Sequence, residues 1–179
     1  MAGIKRAAGP GFNPEEGPAA FSTPWKYIFH SVENCHLEPM KVLALEFSTE
    51  AASLALLADG AVAASLPVDA SQRRSQGLFD AAEELLRQAG WTWADLGAFA
   101  AGRGPGAYTG LRVSLTAARG WALPGNKPVW TVSSGAALAA EIFAERPEIQ
   151  QVAVSGDARR GMIWAGLFAR GAGGGVRQT

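Results

Sequence analysis

From residue 41 onward the pattern of apolar and polar positions changes period several times, and each change predicts an element. Lys41 to Leu45 is an apolar run fit for a buried strand. Ser53 to Leu57 and Val62 to Leu66 flank Asp59-Gly60, the strongest short hairpin signal, so three strands come first. The period then becomes helical over about 76–89, where Leu78, Ala82, Leu85 and Ala89 form one stripe and Gly90 follows as a left-handed cap. Ala98 to Ala101 predicts a short strand running into a glycine-rich loop. After that loop Thr109 is placed to cap a helix that Pro124-Gly125 halts beyond about Ala122. Pro128 to Val132 reads as a strand, and Ser133 or Ser134 caps a helix reaching about Glu145, closed by Pro147. Gln151 to Val154 and Met162 to Phe168 read as two further strands, joined by the polar turn Asp157 to Gly161.

The order βββαβαβα, with a second set of strands just beginning, predicts an α/β fold built on a mixed sheet with helices packed on it. A ribonuclease-H-like unit of the actin and Hsp70 type has this order, and pattern alone leaves doubly wound folds open. Three regions follow. Residues 1–40 carry prolines at 10, 14, 18, 24 and 39 without a sustained period and are expected to be a disordered leader, with Met40 as an alternative start. Residues 41–145 form the ribonuclease-H-like domain. Residues 146–179 are a partial second domain whose Gly171 to Gly175 stretch reads as a flexible terminus or the point where a longer protein has been cut.

Composition narrows the function classes. With 179 residues, 48% of them hydrophobic, the chain can bury one real core. Sixteen basic and sixteen acidic residues cancel, so no broad electrostatic footprint points to nucleic acid or membrane. A single cysteine excludes an internal disulfide framework, and no stretch approaches the roughly 18 consecutive apolar residues of a membrane span. The expectation is a soluble, cytoplasmic protein.

Candidate chemistry is bounded by what the body lacks. His30, Cys35 and His36 all lie in the leader, so residues 41–179 contain no histidine and no cysteine. Thiolate catalysis, Ser-His-Asp catalysis and histidine-ligated metals are thereby excluded from the body, and no metal site is expected. The most specific segment is Gly102-Arg103-Gly104-Pro105-Gly106-Ala107-Tyr108-Thr109-Gly110-Leu111-Arg112. Its glycines permit close backbone approach and its helix start presents unpaired N–H groups, which suits an anion; a tight turn explains the glycines equally well. Glu46 and Asp157 stand at strand ends, where metal–nucleotide or general-base carboxylates sit in α/β folds, although Asp157 also fits a self-capping turn. Arg73-Arg74 and Arg159-Arg160 read as solvated pairs. The helix over about 109–122 is apolar or small nearly all round, with Arg112, Thr116 and Arg119 as its obvious polar positions. Part of it is therefore expected to be covered from outside the chain, or else deeply buried within it.

Taken together, Leu43 to Glu50, the Asp59-Gly60 hairpin, the loop from Gly102 to Arg112, Val132-Ser133-Ser134 and Asp157-Ala158-Arg159 resemble the TsaB (YeaZ) family, in the right order over about 41–170. The resemblance implies an actin/Hsp70-like (ribonuclease-H-like) fold. It also implies a non-catalytic scaffold role in making N6-threonylcarbamoyladenosine beside the anticodon of tRNAs that read codons beginning with A. The implied partners are a TsaD-type catalytic paralogue, a TsaE-type ATPase and, through the complex, tRNA. When the chain is alone, homodimer and monomer both stay open. No cofactor is expected on the isolated subunit, and ATP or ADP belongs to the complex. The family loop maps to Arg103, Gly104, Pro105, Gly106, Tyr108, Thr109, Gly110 and Arg112. Nucleotide-facing positions map to Glu46, Ser48, Thr49 and Asp157. The partner interface is expected on the first two helices, at Leu78, Ala82, Leu85, Ser114, Ala117 and Gly120.

The chain departs from the family pattern in three places. Glu46-Phe47 replaces the first two positions of the usual Asp-Thr/Ser-Ser/Ala-Thr, Arg73-Arg74-Ser75-Gln76 replaces a histidine or basic-Ser element, and family members run several dozen residues further. Two rival readings are a stand-alone nucleotide-binding or peptidase-like enzyme of the same superfamily and a self-associating structural protein. Because the body offers only oxygen ligands, protein purified without chelator is expected to carry no stoichiometric zinc or iron and to show no peptidase activity. Elemental analysis giving one tightly held transition metal per chain would overturn this.

Overall fold

The computed structural model describes residues 40–69, 75–159, 161–171 and 175–179. The expected leader with His30, Cys35 and His36, the pair Arg73-Arg74, and Arg160 lie outside the described residues.

The organising element is β1 (Lys41–Glu46). It pairs antiparallel with β2 (Ala52–Ala58), which pairs antiparallel with β3 (Ala61–Val68). On its other edge it pairs parallel with β4 (Ala98–Gly102), and β4 pairs parallel with β5 (Val129–Val132). The sheet order is therefore β3-β2-β1-β4-β5. Successive residues of β1 point to opposite faces, and both faces are covered, which is why its sequence is a continuous apolar run and not an alternation. Leu43 and Leu45 join Leu54, Leu56 and Phe99 beneath α1 (Ser75–Ala89) and α2 (Tyr108–Ala122). Val42, Ala44, Ala55, Leu57, Ala98 and Ala100 form the opposite core with Ala137 of α3 (Ser134–Glu145).

A second, antiparallel sheet has the order β6-β7-β8, from β6 (Gln151–Arg159), β7 (Met162–Arg170) and β8 (Val176–Gln178). Ala139 and Phe143 of α3 pack on its Val154 and Phe168, so one helix serves both sheets. The mixed α/β architecture is the expected one, in the expected element order.

Local chemistry accounts for most boundaries. Asp59 (φ 52°) and Gly60 (φ 76°) are both left-handed, the geometry of a tight hairpin turn that matches strand twist. Gly90 (φ 69°) ends α1 in the same region, with Trp91 N–H donating to the Leu86 carbonyl at 2.9 Å. Ser133 caps α3, its hydroxyl accepting from Ala136 N–H at 3.2 Å.

Three expectations are corrected. Thr109 is not a cap: α2 begins one residue earlier, and Ala107 occupies the cap position without a side-chain bond. The hairpin of β6 and β7 is tighter than a polar turn from Asp157 to Gly161, since β6 runs on to Arg159 and Asp157 pairs with Ile163. Residues 172–174 of the expected flexible stretch lie outside the described residues, and past them the chain is paired where a loose terminus was expected. Gly171 N–H donates to the Gly175 carbonyl at 2.7 Å, and the following residues pair with β7 as β8. Three residues are too few to display a period, so this strand is invisible to pattern.

The C-terminal end of α3 is finished by a side chain from the second sheet. Arg170 Nη2 donates to the Phe143 carbonyl at 2.6 Å, with longer contacts to the carbonyls of Arg146, Pro147 and Ile149 at 3.5, 3.4 and 3.4 Å. Its guanidinium also lies over the Phe143 ring, 5.0 Å from the centroid. Helix-end carbonyls otherwise lack partners, and a cation there is favoured by the helix dipole. Replacing Arg170 by Ala is expected to lower unfolding free energy by about 1–3 kcal/mol, the cost of stripping a half-buried acceptor of its charged donor. Urea unfolding followed by tryptophan fluorescence measures it.

Candidate functional site

Three chain segments converge where β1 ends. Glu46, its last residue, turns its carboxylate back: Oε1 accepts from Ser48 N–H at 2.7 Å, and Oε2 accepts from the Ser134 hydroxyl at 2.8 Å. The same hydroxyl oxygen accepts from Gly104 N–H at 3.2 Å, while Ser134 N–H donates to the Gly104 carbonyl at 2.9 Å. The turn after β1, the glycine loop and the first turn of α3 are thus tied together. Two further backbone bonds seat the loop, Arg103 N–H to the Val132 carbonyl at 2.8 Å and Ala107 N–H to the Ser48 carbonyl at 2.7 Å.

The glycines have a specific reason to be there. A Cβ on Gly102 would lie 2.7 Å from the Glu46 carboxyl carbon, and one on Gly106 would lie 2.8 Å from the Ser48 carbonyl carbon. One on Gly110 would run into the Phe47 carbonyl oxygen. Spaced four apart, these glycines let residues 102–110 lie directly on residues 46–48. The close backbone approach read from the sequence is made to the chain's own first strand. Gly104 adds a left-handed φ of 82°, and its bond to Pro105 is cis.

The other side of the loop faces outward. Arg103, Pro105, Gly106, Tyr108, Thr109 and Arg112 are exposed, and the Arg112 guanidinium stacks on the Tyr108 ring at 5.4 Å. Of the positions expected to face a nucleotide, Ser48 is buried, Thr49 and Glu46 are half-buried and Asp157 is exposed on β6. Among the described residues no group of three His, Cys, Asp or Glu side chains is placed to hold a metal ion.

A groove of about 440 Å³ runs between α1 and α2, lined by Leu78, Thr109, Arg112, Val113, Ala117 and Trp121 among others. This corrects the expected partner interface. Ala82 and Leu85 are wholly buried against the sheet, and Leu78, 2% exposed, reaches only the groove floor. Ser114 is also fully buried, its hydroxyl donating to the Leu111 carbonyl at 3.1 Å. A stripe at helical spacing shows that one face is covered, and on a helix lying over a sheet that face is the inward one. Ala117 remains as a half-buried groove wall, and Gly120 is exposed, with open space where a Cβ would stand.

Sequence reasoning misses two features. Pattern offers Ser134 only as an alternative cap, yet it bridges Glu46 to Gly104. The aromatic cluster around Trp121, which lines the groove, has Phe79 stacked on Trp93 at 5.3 Å and Trp93 against Trp121 at 5.2 Å, and it joins elements far apart in sequence. The aromatic content of that stretch is its one available signal.

Comparison with known proteins adds the following. Residues 41–173 match the family model described as TsaD, tRNA N6-adenosine threonylcarbamoyltransferase. The tRNA threonylcarbamoyladenosine biosynthesis protein TsaB of Escherichia coli (strain K12) is 31% identical over 131 residues, 73% of this chain and 56% of the relative. The protein of that name from Bacillus subtilis (strain 168) is 31% identical over 129 residues, 72% of this chain and 55% of the relative. The solved structure of YeaZ from Pseudomonas aeruginosa superposes with a TM-score of 0.68 at 33% identity, covering 78% of this chain and 64% of that one. The chain spans about 56% of the length of the curated relatives it matches.

Two glycines of the same helix are expected to respond oppositely to alanine. Gly110→Ala forces α2 off the Phe47 carbonyl and should destabilise by about 1–3 kcal/mol, as overpacking does. Gly120→Ala meets open space and should stabilise by about 0.5–1 kcal/mol through helix propensity. Thermal unfolding of the two variants checks the contrast.

Proposed function

The chain belongs to the TsaB (YeaZ) branch of the TsaD-type family, and from that premise we propose that it is the non-catalytic subunit that binds and activates a TsaD-type threonylcarbamoyltransferase. In this reading the catalytic paralogue transfers the threonylcarbamoyl group from its adenylate to the N6 of adenosine beside the anticodon. A TsaE-type ATPase joins the pair, and tRNA is met through the complex. The present chain contributes shape. The observation that carries the reading is the α1–α2 groove. Its rim is built from Thr109, Val113 and Ala117 on α2, with Trp121 at one end and Leu78 as its floor. A cleft of apolar floor and small-residue wall between two surface helices is suited to receive helices of a partner at close range.

The chemistry of the body supports an accessory role. Residues 41–179 contain neither histidine nor cysteine, and the Glu46 carboxylate is occupied by its own chain. Among the described residues no helix is long and apolar enough to cross a membrane. A second copy of the chain could use the same groove when the paralogue is absent, and mass measurement with and without the paralogue separates the two.

Ala117→Arg is the direct test. Ala117 is half-buried on the groove wall, so an arginine can leave the chain's own core intact while placing an unpaired guanidinium in the interface. Such burial costs several kcal/mol, on the order of a hundredfold or more in affinity. The variant is expected to keep its circular dichroism, to lose co-elution with the TsaD-type paralogue and to stop supporting threonylcarbamoyladenosine formation. A folded variant that still co-elutes would place the interface elsewhere.

A further inference from the structure

The Glu46 side chain meets the turn after β1 and the start of α3 directly, and the glycine loop through the Ser134 hydroxyl. Its two oxygens serve different segments, Oε1 the Ser48 amide at 2.7 Å and Oε2 the Ser134 hydroxyl at 2.8 Å, across 88 residues of sequence. That hydroxyl in turn receives the Gly104 amide at 3.2 Å. Gly102 packs against the same carboxyl group so closely that no Cβ fits between them. The other fastenings of the loop are backbone bonds, from Arg103 N–H to the Val132 carbonyl, from Ala107 N–H to the Ser48 carbonyl and from Ser134 N–H to the Gly104 carbonyl, while the side chains of Arg103 and Pro105 are exposed.

We propose that Glu46 is a positioning residue: an anion supplied by the chain itself, which fastens the glycine loop and the first turn of α2 to the end of β1. This deepens the partner reading above and rests on it for its consequence, because Thr109 and Arg112 of that first turn line the groove. Hydrogen bonds to an ionised acceptor are the strong ones, and a carboxylate beside the first turn of α3 is further favoured by the helix dipole. Side-chain length matters as well. A carboxylate one methylene shorter can turn back to an amide two residues on, but it loses the reach that lets the second oxygen meet Ser134. The bridge between distant segments therefore requires glutamate.

The test uses the full chain as wild type, Glu46→Gln, Glu46→Asp and Glu46→Ala, with hydrogen exchange followed peptide by peptide. In Glu46→Ala, exchange across residues 102–112 should rise by about tenfold or more while α1 is unchanged, which marks local opening and not global loss. Added acetate, which can enter the space left by the carboxylate, should restore protection to Glu46→Ala and leave wild type unaffected. Glu46→Asp should protect the turn at Ser48 but not the loop. Glu46→Gln, nearly the same in shape, should raise exchange less than Glu46→Ala, and it keeps the test open if Glu46→Ala does not fold. Unchanged exchange over 102–112 in Glu46→Gln and Glu46→Ala, an equal rise everywhere, or a rise that acetate does not reverse would each overturn the proposal. Affinity for the TsaD-type paralogue, measured on the same proteins, separates the two readings. Wild type that fails to bind defeats the partner reading while exchange still decides the role of Glu46.

Discussion

The backbone of residues 102–110 lies directly against residues 46–48, on the Glu46 carboxyl group at Gly102 and on the backbone of Ser48 and Phe47 at Gly106 and Gly110, and this contact organises the end of β1. It requires glycine at three positions four apart, and it seats α2 at its N-terminal end by placing Gly110 on Phe47 and bonding Ala107 N–H to the Ser48 carbonyl. Because α2 is held this closely at its start, its inward side can bury Ser114, Ala118 and Ala122 along its length. The same helix presents Thr109, Val113 and Ala117 to the groove beside Leu78 of α1. Loop, core and candidate interface thus meet on α2.

What can be read from the sequence is what is local. The apolar run of β1, the turn at Asp59-Gly60 and the cap at Ser133 each depend on residues within a few positions, so pattern and turn chemistry locate them. The glycine loop is also recognisable as a site of close backbone approach, although the sequence does not say to what. The bond from Glu46 to Ser134 spans 88 residues, and nothing in either neighbourhood announces it. The stripe Leu78, Ala82, Leu85 fails in a different way. Its spacing correctly marks a covered face, yet it carries no information on whether the cover is the protein's own sheet or a partner, and here it is the sheet. For Asp157, a polar cluster suggests an open turn, but pairing with Ile163 extends the strand through it.

The two cores are linked by α3, which receives the first sheet at Ala137 and the second at Ala139 and Phe143. Both of its ends are held by side chains from elsewhere, the start by Glu46 through Ser134 and the finish by Arg170. An acid at the N-terminal end and a base at the C-terminal end is the arrangement the helix dipole favours. Glu46 belongs to the first sheet and Arg170 to the second, so the helix is clamped between sheets as well as packed between them.

This clamping bears on the proposed accessory role. Each carboxylate oxygen of Glu46 accepts one hydrogen bond from its own chain, from the Ser48 amide and from the Ser134 hydroxyl. On the proposal made above, the carboxylate holds three segments in register and thereby sets the position of Thr109 and Arg112, which line the groove. Pre-set geometry lowers the ordering cost that a partner would otherwise meet on docking, since rigid interface elements lose less freedom when bound. On the proposed reading, in which the chain acts through shape, a rigidly held surface of this kind is what sets its affinity for a partner. The substitution of glutamate for the family's usual aspartate at the end of β1 is thus better understood as lengthening an anchor than as loss of a ligand.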